Sequence, residues 1–381
     1  MNRLLKTGII LISLTGIPYV IYLIWYLMKG PSGTPAKKST SEPAVSIVLP
    51  TYNEEAIIQS KLEELISLDY PSEQIEIVVV DSSDDRTPKI VQEFFQSREA
   101  PKFEFIRESE RRGLAVALNQ AYAASNNSVV IKTDCDSRIA DDALRLAVEN
   151  LADDSIGAVT GRNAEVLGGS EVERGYRDVQ ATIQVLESHL DSTLIFHGPF
   201  SAFKRELITP IDEDSIADDT ELALKIRKQG KRVVFDPAIK YKEAAHSEFS
   251  KRRQQKDRRA MGLLRLLWRQ RDMLGRYGNY GRVVLPFNWW FMIVSPWLLL
   301  GGIITFSVGS VLATGPFGLT MPLSLVVFIT LGARGALGKY QPLYSLFDTQ
   351  VSLAHALVAL LRGKGDGTWD IDDELREAFI K

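Results

Sequence analysis

Two aspartates that directly follow an apolar run are the clearest candidates for chemistry in this sequence. The run Val129-Val-Ile-Lys-Thr leads into Asp134-Cys-Asp136, so that one residue separates the two carboxylates. If the run is a buried strand, both carboxylates emerge at the carboxyl edge of a sheet, where open α/β sheets bind ligands. Carboxylate oxygens suit Mg²⁺ or Mn²⁺, especially a metal shared with the phosphates of a substrate. The same residues also fit the start of a helix, which Ser137 could cap.

The elements before this run place two more polar clusters beside it. Thr51-Tyr-Asn-Glu54 follows the apolar run 45–50, and Asp81-Ser-Ser-Asp-Asp85 follows the apolar run 75–80. Continuous apolar strands that alternate with helices predict an α/β fold with a mostly parallel sheet covered on both faces. The three clusters then meet at one edge of the sheet; one alone is more simply a cap or turn, but three favour a site. The intervening elements are predicted as helices at 55–68, 87–97 and 113–124 and a short strand at 103–106.

Composition excludes several other classes of protein. The 381 residues carry a net charge of only −3, which gives no indication of a nucleic-acid partner. The single cysteine, Cys135, excludes an internal disulfide and is consistent with a cytosolic environment. The first strand is not followed by Gly-x-Gly-x-x-Gly, and the sequence has no Gly-Lys-Ser/Thr motif, so dinucleotide and P-loop sites are disfavoured.

Long apolar runs at both ends predict a multi-pass membrane protein. The run Gly8–Met28 is uncharged and, at about 20 residues, long enough to span a bilayer. A cleaved signal peptide is the competing interpretation, but the run is long for one and Trp25 with Tyr26 resembles an interfacial belt. Residues 31–43, rich in Ser, Thr, Pro and Lys, predict a linker.

Two apolar runs after residue 282 predict a membrane hairpin. They cover 283–311 and 317–331, and the turn between them is uncharged. The positive-inside rule then places both flanks, and the domain before the hairpin, in the cytosol. Residues 341–361 include Asp348 and His355, which predicts a surface-lying or packed helix rather than a span. The basic residues that flank the hairpin are Arg276, Arg282, Arg334 and Lys339.

A series of short motifs in this order resembles the family-2 glycosyltransferases of the GT-A fold. Each motif is weak alone, but their order over residues 44–270 is specific. The motifs are Pro50-Thr-Tyr-Asn-Glu54, Val79-Val-Asp-Ser-Ser-Asp84, Arg112-Gly-Leu-Ala-Val-Ala-Leu-Asn119, Asp134-Cys-Asp136, Gly198-Pro-Phe-Ser-Ala-Phe-Lys-Arg-Glu206, Ala217-Asp-Asp-Thr-Glu-Leu222 and Gln255-Lys-Asp-Arg-Arg259.

The resemblance implies a nucleotide-diphosphate sugar as donor and a divalent metal, Mg²⁺ or Mn²⁺, as cofactor. In this family the first carboxylate of Asp-x-Asp, here Asp134, contacts the ribose side, and the second, Asp136, binds the metal that bridges the diphosphate. Leu114 replaces a basic residue expected after Gly113, a role that Arg112 or Arg111 could take. The residues implied to hold the base and ribose are Pro50, Tyr52, Asn53, Glu54 and Asp81.

The resemblance also implies a catalytic base. The segment Ala217-Asp-Asp-Thr-Glu-Leu222 resembles the family's acidic motif, whose second carboxylate, here Asp219, takes a proton from the acceptor hydroxyl. Attack opposite the leaving group inverts the configuration of the sugar. Asp218 supports Asp219 or contacts the acceptor. Both residues also fit N-capping of a helix over 220–229.

A basic segment before the hairpin matches one more family signature in part. Gln255, Arg258 and Arg259 resemble the Gln-x-x-Arg-Trp motif of membrane-bound polymerising members, in which the arginine holds the diphosphate and the tryptophan lines the acceptor site. Arg258 suits that role, since a planar guanidinium matches phosphate oxygens. Arg259 in place of tryptophan weakens the expectation of polymerisation. Residues 261–282 predict an amphipathic interfacial helix that contacts membrane lipid.

The leading hypothesis is a membrane-bound inverting glycosyltransferase that acts on a lipid-linked or glycan acceptor. A processive β-polysaccharide synthase is the alternative within the class, and a catalytically degenerate scaffold or nucleotide sensor is the alternative outside it. A Mg²⁺-dependent phosphohydrolase is weaker, because Pro50-Thr51 stand where its nucleophilic aspartate would follow the first strand. The predicted organisation is an anchor (1–29), a linker (30–43), a cytosolic GT-A domain (44–250), a basic interfacial segment (251–282), a transmembrane hairpin (283–334), and an interfacial helix with an acidic cytosolic tail (335–381).

Overall fold

The central feature of the fold is an eight-stranded sheet with helices on both faces, which confirms the predicted α/β class. The computed structural model describes residues 2–96, 98, 101–167, 171–244, 249–363, 375–376 and 379. The sheet order is β3-β2-β1-β4-β7-β6-β8-β5. The strands are β1 (Val45–Thr51), β2 (Ile75–Asp81), β3 (Lys102–Arg107), β4 (Val129–Lys132), β5 (Ser137–Ile139), β6 (Ile156–Leu167), β7 (Ser201–Lys204) and β8 (Arg232–Ala244).

Helices alternate with the first strands and then cluster near the two ends of the chain. Those within the sheet domain are α2 (Ile58–Ser67), α3 (Thr87–Gln96), α4 (Leu114–Ala124), α5 (Ala143–Leu151), α6 (Glu171–Leu190) and α7 (Asp218–Lys228). The others are α1 (Arg3–Lys29), α8 (Phe249–Arg269), α9 (Leu285–Trp289), α10 (Ser295–Thr314), α11 (Thr320–Ala333) and α12 (Gln341–Leu361).

The first four strands form the parallel half of the sheet. Strand β1 pairs in parallel with both β2 and β4, and β3 extends the sheet beyond β2. Thr51, at the end of β1, pairs directly with Asp81 at the end of β2. The polar clusters that follow β1, β2 and β4 therefore lie at the same edge, as the sequence predicts.

The other half of the sheet is mixed. Strand β7 runs antiparallel to β4 and β6, β8 runs parallel to β6, and β5 pairs antiparallel with β8 at the far edge. These strands bring the loop before β7 and the loop after β4 to the same place. This antiparallel insertion is the structural reason that residues near position 198 reach the aspartates that follow β4.

Both faces of the parallel half are buried, because alternate residues of each strand enter different cores. Ile47 and Leu49 of β1 pack in one hydrophobic cluster with residues of α2, α3 and α5. Val48 packs in the other cluster with residues of α4 and α7. This two-sided burial explains why the strands are continuous apolar runs in the sequence.

The apolar ends of the chain form long helices that pack together. Among the described residues, three helical segments are long and apolar enough to cross a membrane by length and composition: Arg3–Lys29, Tyr280–Ala333 and Gly338–Leu361. Helix α1 lies along α10 with very close backbone contact. A Cβ built on Gly309 would lie 2.4 Å from the backbone nitrogen of Leu5, and one on Gly8 would lie 2.5 Å from that of Phe306. Glycines at such positions let two apolar helices approach closely.

The basic segment before the membrane helices differs from the prediction. The expected helix over 261–282 is wrong in its limits, since α8 begins at Phe249 and ends at Arg269. The chain then turns through Gly275, Tyr277 and Gly278, all of which have positive φ. Consecutive left-handed residues cannot continue a helix, so the chain changes direction here before it enters the apolar segment.

Helix α12 is packed against α8 by charged contacts, which accounts for the polar residues noted in its sequence. Asp348 is buried and pairs with Arg253 and Lys256 of α8, the latter at 3.0 Å. Two turns further along α12, His355 Nδ1 lies 2.6 Å from Asp257 Oδ2. Most of the acidic tail predicted after residue 363 lies outside the described residues.

Candidate active site

A buried lysine at the end of β4 lies among three carboxylates. Lys132 is only 1% exposed, and its Nζ lies 2.9 Å from Asp134 Oδ1, 3.3 Å from Asp219 Oδ2 and 3.8 Å from Asp218 Oδ2. Burial opposes the charge of a lysine, but these carboxylates hold the pKa of the Lys132 ammonium well above its usual range. Lys132 therefore stays protonated and fixes the position of both acidic segments.

The two acidic segments reach Lys132 from different parts of the fold. Asp134 follows directly after β4, whereas Asp218 and Asp219 are the first two residues of α7. The capping alternative for these two aspartates is wrong, because Ala217 is the N-cap and the helix begins at Asp218. Both carboxylates are buried at a helix N-terminus, where the backbone dipole favours negative charge.

Asp219 has the environment of a general base. Burial, with repulsion from Asp218, raises the pKa of its carboxyl to about 8, although Lys132 opposes the shift. Its Oδ2 faces Lys132, while its Oδ1 is buried and has no hydrogen-bond partner within the described residues. A carboxylate oxygen that is held in place without a partner is available to accept a proton from a hydroxyl group.

Gly198 closes the wall of this site. A Cβ at that position would lie 2.8 Å from both Asp134 Oδ2 and Lys132 Nζ, and 3.2 Å from Asp219 Oδ2. The loop before β7 therefore lies against the carboxylates of both Asp134 and Asp219. Any larger residue would have to displace them, which explains why the motif that begins at Gly198 needs a glycine.

Asp136 has the environment expected of a metal-binding carboxylate. Burial, together with the nearby carboxylates of Asp134 and Glu54, raises the pKa of Asp136 to about 7. A bound cation would reduce the electrostatic repulsion among these carboxylates. Within the described residues no three Asp, Glu, His or Cys side chains converge to enclose a metal. The donor set fits a hard divalent ion that takes further oxygens from a bound phosphate or water.

The cluster after β1 and β2 is held by its own hydrogen bonds. Asp81 is fully buried and accepts hydrogen bonds from Thr51 Oγ1 at 2.7 Å and Ser83 Oγ at 2.5 Å, and it pairs with Arg107. Pro50 lies beside it near the end of β1. Asp81 thus already supports the loops that surround the predicted base and ribose subsite.

Three other predicted nucleotide contacts lie in the same loops. Asn53 has a positive φ of 52° and donates from Nδ2 to Asp84 Oδ1 at 2.5 Å. The Arg111 guanidinium stacks over the Tyr52 ring at 3.9 Å from its centre. Burial raises the pKa of Glu54, whose carboxylate accepts two hydrogen bonds from Arg376.

Arg112 lies at the surface, in contrast to its predicted place in the site. Its side chain is 52% exposed and 3.9 Å from Glu213. The neighbouring Arg111 contacts the predicted nucleotide cluster instead, through Tyr52. Of the two arginines that could replace the basic residue missing at position 114, the structure brings Arg111 to the site.

Helix α8 carries Arg258 towards the carboxylates. Burial lowers the pKa of Arg258 to about 10, as does Arg259, whereas Asp218, Asp136 and Asp134 oppose the shift. Gln255, half-buried, lies one turn before it on the same helix. One turn after Arg258, Gly262 lets α8 approach closely, since a Cβ there would lie 2.9 Å from the side chain of Ile216.

Arg259, which replaces the expected tryptophan, forms a structural ion pair. Its guanidinium pairs with the buried carboxylate of Glu243, which also lies 3.0 Å from Arg177. Burial opposes ionisation of Glu243, but the two arginines hold its pKa at about 2. The side chain of Arg259 is therefore committed to the sheet domain and offers no flat apolar face to a sugar.

Sequence reasoning named Arg111 as a possible substitute at the site but missed Lys132 and Arg376. Lys132 has a visible signal, since a lysine interrupts an otherwise apolar strand, and such a residue needs buried partners of opposite charge. The pairing of Arg376 with Glu54 joins residues 322 positions apart. No local pattern in the sequence predicts a contact between residues so far apart.

Comparison with known proteins identifies the class of this fold and site. Residues 46–212 match the family described as Glycosyl transferase family 2. The chain also resembles the solved structure of a mannosyltransferase from Pyrobaculum calidifontis in complex with GDP-mannose and Mn²⁺. The two are 29% identical with a TM-score of 0.78, and the match covers 94% of this chain and 99% of that one. Residues 46–212 thus match a family-2 glycosyltransferase domain, and the fold is of the GT-A type.

Two curated bacterial relatives have the same type of domain. A probable glycosyltransferase of Bacillus subtilis, YdaM, is 29% identical over 225 residues, which is 51% of this chain and 49% of the relative. The poly-β-1,6-N-acetyl-D-glucosamine synthase of Staphylococcus epidermidis is 30% identical over 209 residues, which is 53% of this chain and 48% of the relative. The chain spans about half the length of these curated relatives.

Proposed function

We propose that this protein is a membrane-bound inverting glycosyltransferase. It moves a sugar from a nucleotide-diphosphate sugar to a hydroxyl group of a lipid-linked or glycan acceptor. The observation that carries the proposal is the convergence of Asp134 and Asp219 on Lys132. Lys132 thereby holds Asp134, proposed to bind the donor, close to Asp219, the proposed base. Transfer between two bound substrates requires such an arrangement.

The donor subsite lies between the loops after β1, β2 and β4. Glu54 and Asp134 are the side chains placed to accept hydrogen bonds from the base and the ribose. Asp136, with Asp134 beside it, would hold Mg²⁺ or Mn²⁺, which when bound neutralises charge on a leaving diphosphate. Arg258 faces the same carboxylates and is placed to bind phosphate oxygens. The Pyrobaculum mannosyltransferase, which binds GDP-mannose with Mn²⁺, supports this class of donor.

Asp219 is the proposed general base. The acceptor oxygen attacks the anomeric carbon, the bond from that carbon to the diphosphate breaks, and the hydroxyl proton passes to Oδ1 of Asp219. The electron pair of the broken bond leaves with the nucleoside diphosphate. Lys132 acts as a positioning residue, because its bond to Oδ2 holds the carboxylate with the other oxygen available. General-base help of this kind contributes about 10²- to 10⁴-fold to the rate.

The long apolar helices support a site that works at a lipid surface. We assign α1 and α10 as spanning helices, the shorter α11 as a helix that returns within the membrane, and α12 as a helix packed on α8, with the catalytic domain in the cytosol. The close glycine contacts between α1 and α10 favour a retained anchor over a cleaved signal peptide. Trp268 near the end of α8 is 59% exposed and has Arg271 over its ring at 5.1 Å, a pairing suited to the membrane interface.

Transfer of single sugars to a lipid-linked acceptor is the preferred form of the activity. The side chain of Arg259 is bound to Glu243 and supplies no aromatic platform for a growing glycan. The relative from Staphylococcus epidermidis, named as a polysaccharide synthase, supports processive synthesis as the second candidate. The two forms differ in the length of the product.

The test is transfer of radiolabelled sugar by the full chain in nanodiscs with Mn²⁺. The assay compares GDP-mannose with UDP-N-acetylglucosamine and uses a polyprenyl phosphate as acceptor. A single labelled lipid of fixed mobility supports single transfer, and a ladder of products supports the processive alternative. Absence of labelled product and of donor turnover with every nucleotide sugar would contradict the proposed activity.

A further inference from the structure

The C-terminal tail, of which residues 375–376 and 379 are described, contacts the candidate donor subsite through the buried Arg376. Arg376 donates from Nε to Glu54 Oε2 and from NH2 to Glu54 Oε1, both at 2.7 Å. The side chains of Arg376 and Glu54 are only 11% and 13% exposed. A two-pronged bond between a guanidinium and a carboxylate fixes both groups in one plane. The tail is therefore seated on a side chain that we assign to the nucleotide.

A second tail residue, Phe379, contacts strand β5, which follows the loop after β4. The guanidinium of Arg138 lies over the Phe379 ring, 4.6 Å from its centre, and Phe379 packs against the hydrophobic cluster beneath the sheet. Arg138 belongs to β5 and follows Asp136 by two residues. Arg376 and Phe379 thus touch the loop after β1 and strand β5, which follows the loop after β4; both loops belong to the proposed donor subsite.

Arg376 carries the positive charge that the buried carboxylates of the subsite attract. Glu54 and Asp136 are buried carboxylates, and burial raises the pKa of each, whereas Arg376 lowers both. The tail arginine therefore supplies positive charge to the same carboxylates that a donor and its divalent ion would engage. A donor that needs the Glu54 oxygens for its own N–H or O–H groups must compete with Arg376 for them.

We propose that the C-terminal tail is an internal ligand of the donor subsite. Arg376 occupies Glu54 while no donor is bound, and a nucleoside diphosphate that binds there displaces the tail. This inference rests on the proposed function, in which Glu54 accepts hydrogen bonds from the nucleotide. Only molecules whose subsite is free of the tail can bind the donor. The apparent donor affinity therefore falls as the fraction of molecules with an occupied subsite rises.

The first test is the affinity of GDP and of UDP, each with Mn²⁺, measured by calorimetry on the full chain in nanodiscs. Arg376→Ala is expected to bind the preferred nucleotide about 3- to 10-fold more tightly than the unaltered protein, since a larger fraction is open to the ligand. Arg362→Ala, an exposed arginine just after α12, is the matched control and should leave affinity unchanged. Unchanged or weaker binding by Arg376→Ala would overturn the inference.

The second test needs no substitution. Hydrogen–deuterium exchange of peptides that contain residues 375–379 is measured with and without the bound nucleotide and Mn²⁺. Displacement predicts faster exchange when nucleotide is bound, whereas slower or unchanged exchange would show that the tail stays in place and would refute the inference. If the unaltered protein binds neither nucleotide, the proposed function fails and the inference falls with it. If it binds one and the tail does not respond, only the inference fails.

Discussion

Lys132 Nζ lies 3.3 Å from Asp219 Oδ2, although the two residues are 87 positions apart in the sequence. The contact joins the end of β4 to the start of α7, so the carboxylates that follow β4 and the proposed base share one buried cation. The electrostatics of the site follow from this arrangement, because removal of the cation would leave neighbouring carboxylates to repel each other in a buried place.

Lys132→Met is expected to lose stability in a pH-dependent way. Burial already raises the pKa values of Asp218 and Asp219 above those in the unfolded chain, and Lys132 opposes that shift, so without the ammonium both pKa values rise further in the folded state. The folded state then binds more protons than the unfolded state, so its stability falls as pH rises. Thermal unfolding should therefore show a larger loss of Tm at pH 8.5 than at pH 6. Lys228→Met, on the exposed face of α7, is the control and should show a small loss with little pH dependence.

The rate of transfer should rise with pH through the neutral range. Asp219 has a pKa raised to about 8 in the absence of ligands, and only its ionised carboxylate accepts a proton. Below the midpoint, kcat/KM should increase by about tenfold per pH unit and then reach a plateau. The positive charge of a bound divalent ion should move the midpoint to or below about 8. A rate that falls between pH 6 and pH 8 would exclude Asp219 as the base.

Gly198→Ala should impair catalysis more than folding. The new Cβ would meet Asp134 and Lys132 at 2.8 Å, so the acidic groups would have to move. We expect kcat to fall by at least about tenfold, since small displacements of reacting groups are costly, while stability falls by about 1–3 kcal/mol. Gly301→Ala, whose Cβ would lie 3.7 Å from Leu11, is the matched control. Equal effects of the two substitutions on kcat would contradict the assigned role of Gly198.

Gly309→Leu should separate α1 from α10. A side chain at this position would collide with the backbone of Leu5, so the helices could not keep their present contact. We expect a lower Tm in nanodiscs and loss of a disulfide cross-link engineered between the two helices. Gly301→Ala again serves as control. An unaltered cross-link in Gly309→Leu would show that the helices do not depend on this close approach.

The sequence predicts the parallel half of the fold well because three of its strands, β1, β2 and β4, are buried on both faces. Strands β1, β2 and β4 are continuous apolar runs, and each ends in a polar cluster that the sheet brings to one edge. The later strands lack this signal. Strand β7 has four residues and begins with Ser201, and the second half of β6 is partly exposed. Their places depend on pairings with distant strands, which spacing along the chain does not reveal.

The residues of the candidate site also divide into those that the sequence reveals and those that only the fold reveals. Asp134, Asp136 and Asp219 stand in recognisable motifs, and the structure brings them to one place. The partners that set their electrostatics come from elsewhere, as with Lys132 inside a strand and Arg376 in the tail. Arg259 illustrates the limit: the sequence shows that tryptophan is absent, but only the fold shows that the arginine is paired with Glu243.

The central claim is that Asp219 is the general base for sugar transfer. The most direct measurement compares Asp219→Asn with the unaltered chain in single-turnover transfer and in donor binding with Mn²⁺. Asp142→Asn, an exposed aspartate before α5, is the matched control. We expect Asp219→Asn to lose about 10²- to 10⁴-fold in transfer rate while donor affinity stays within about threefold. Transfer by Asp219→Asn at the rate of the unaltered protein would contradict the central claim.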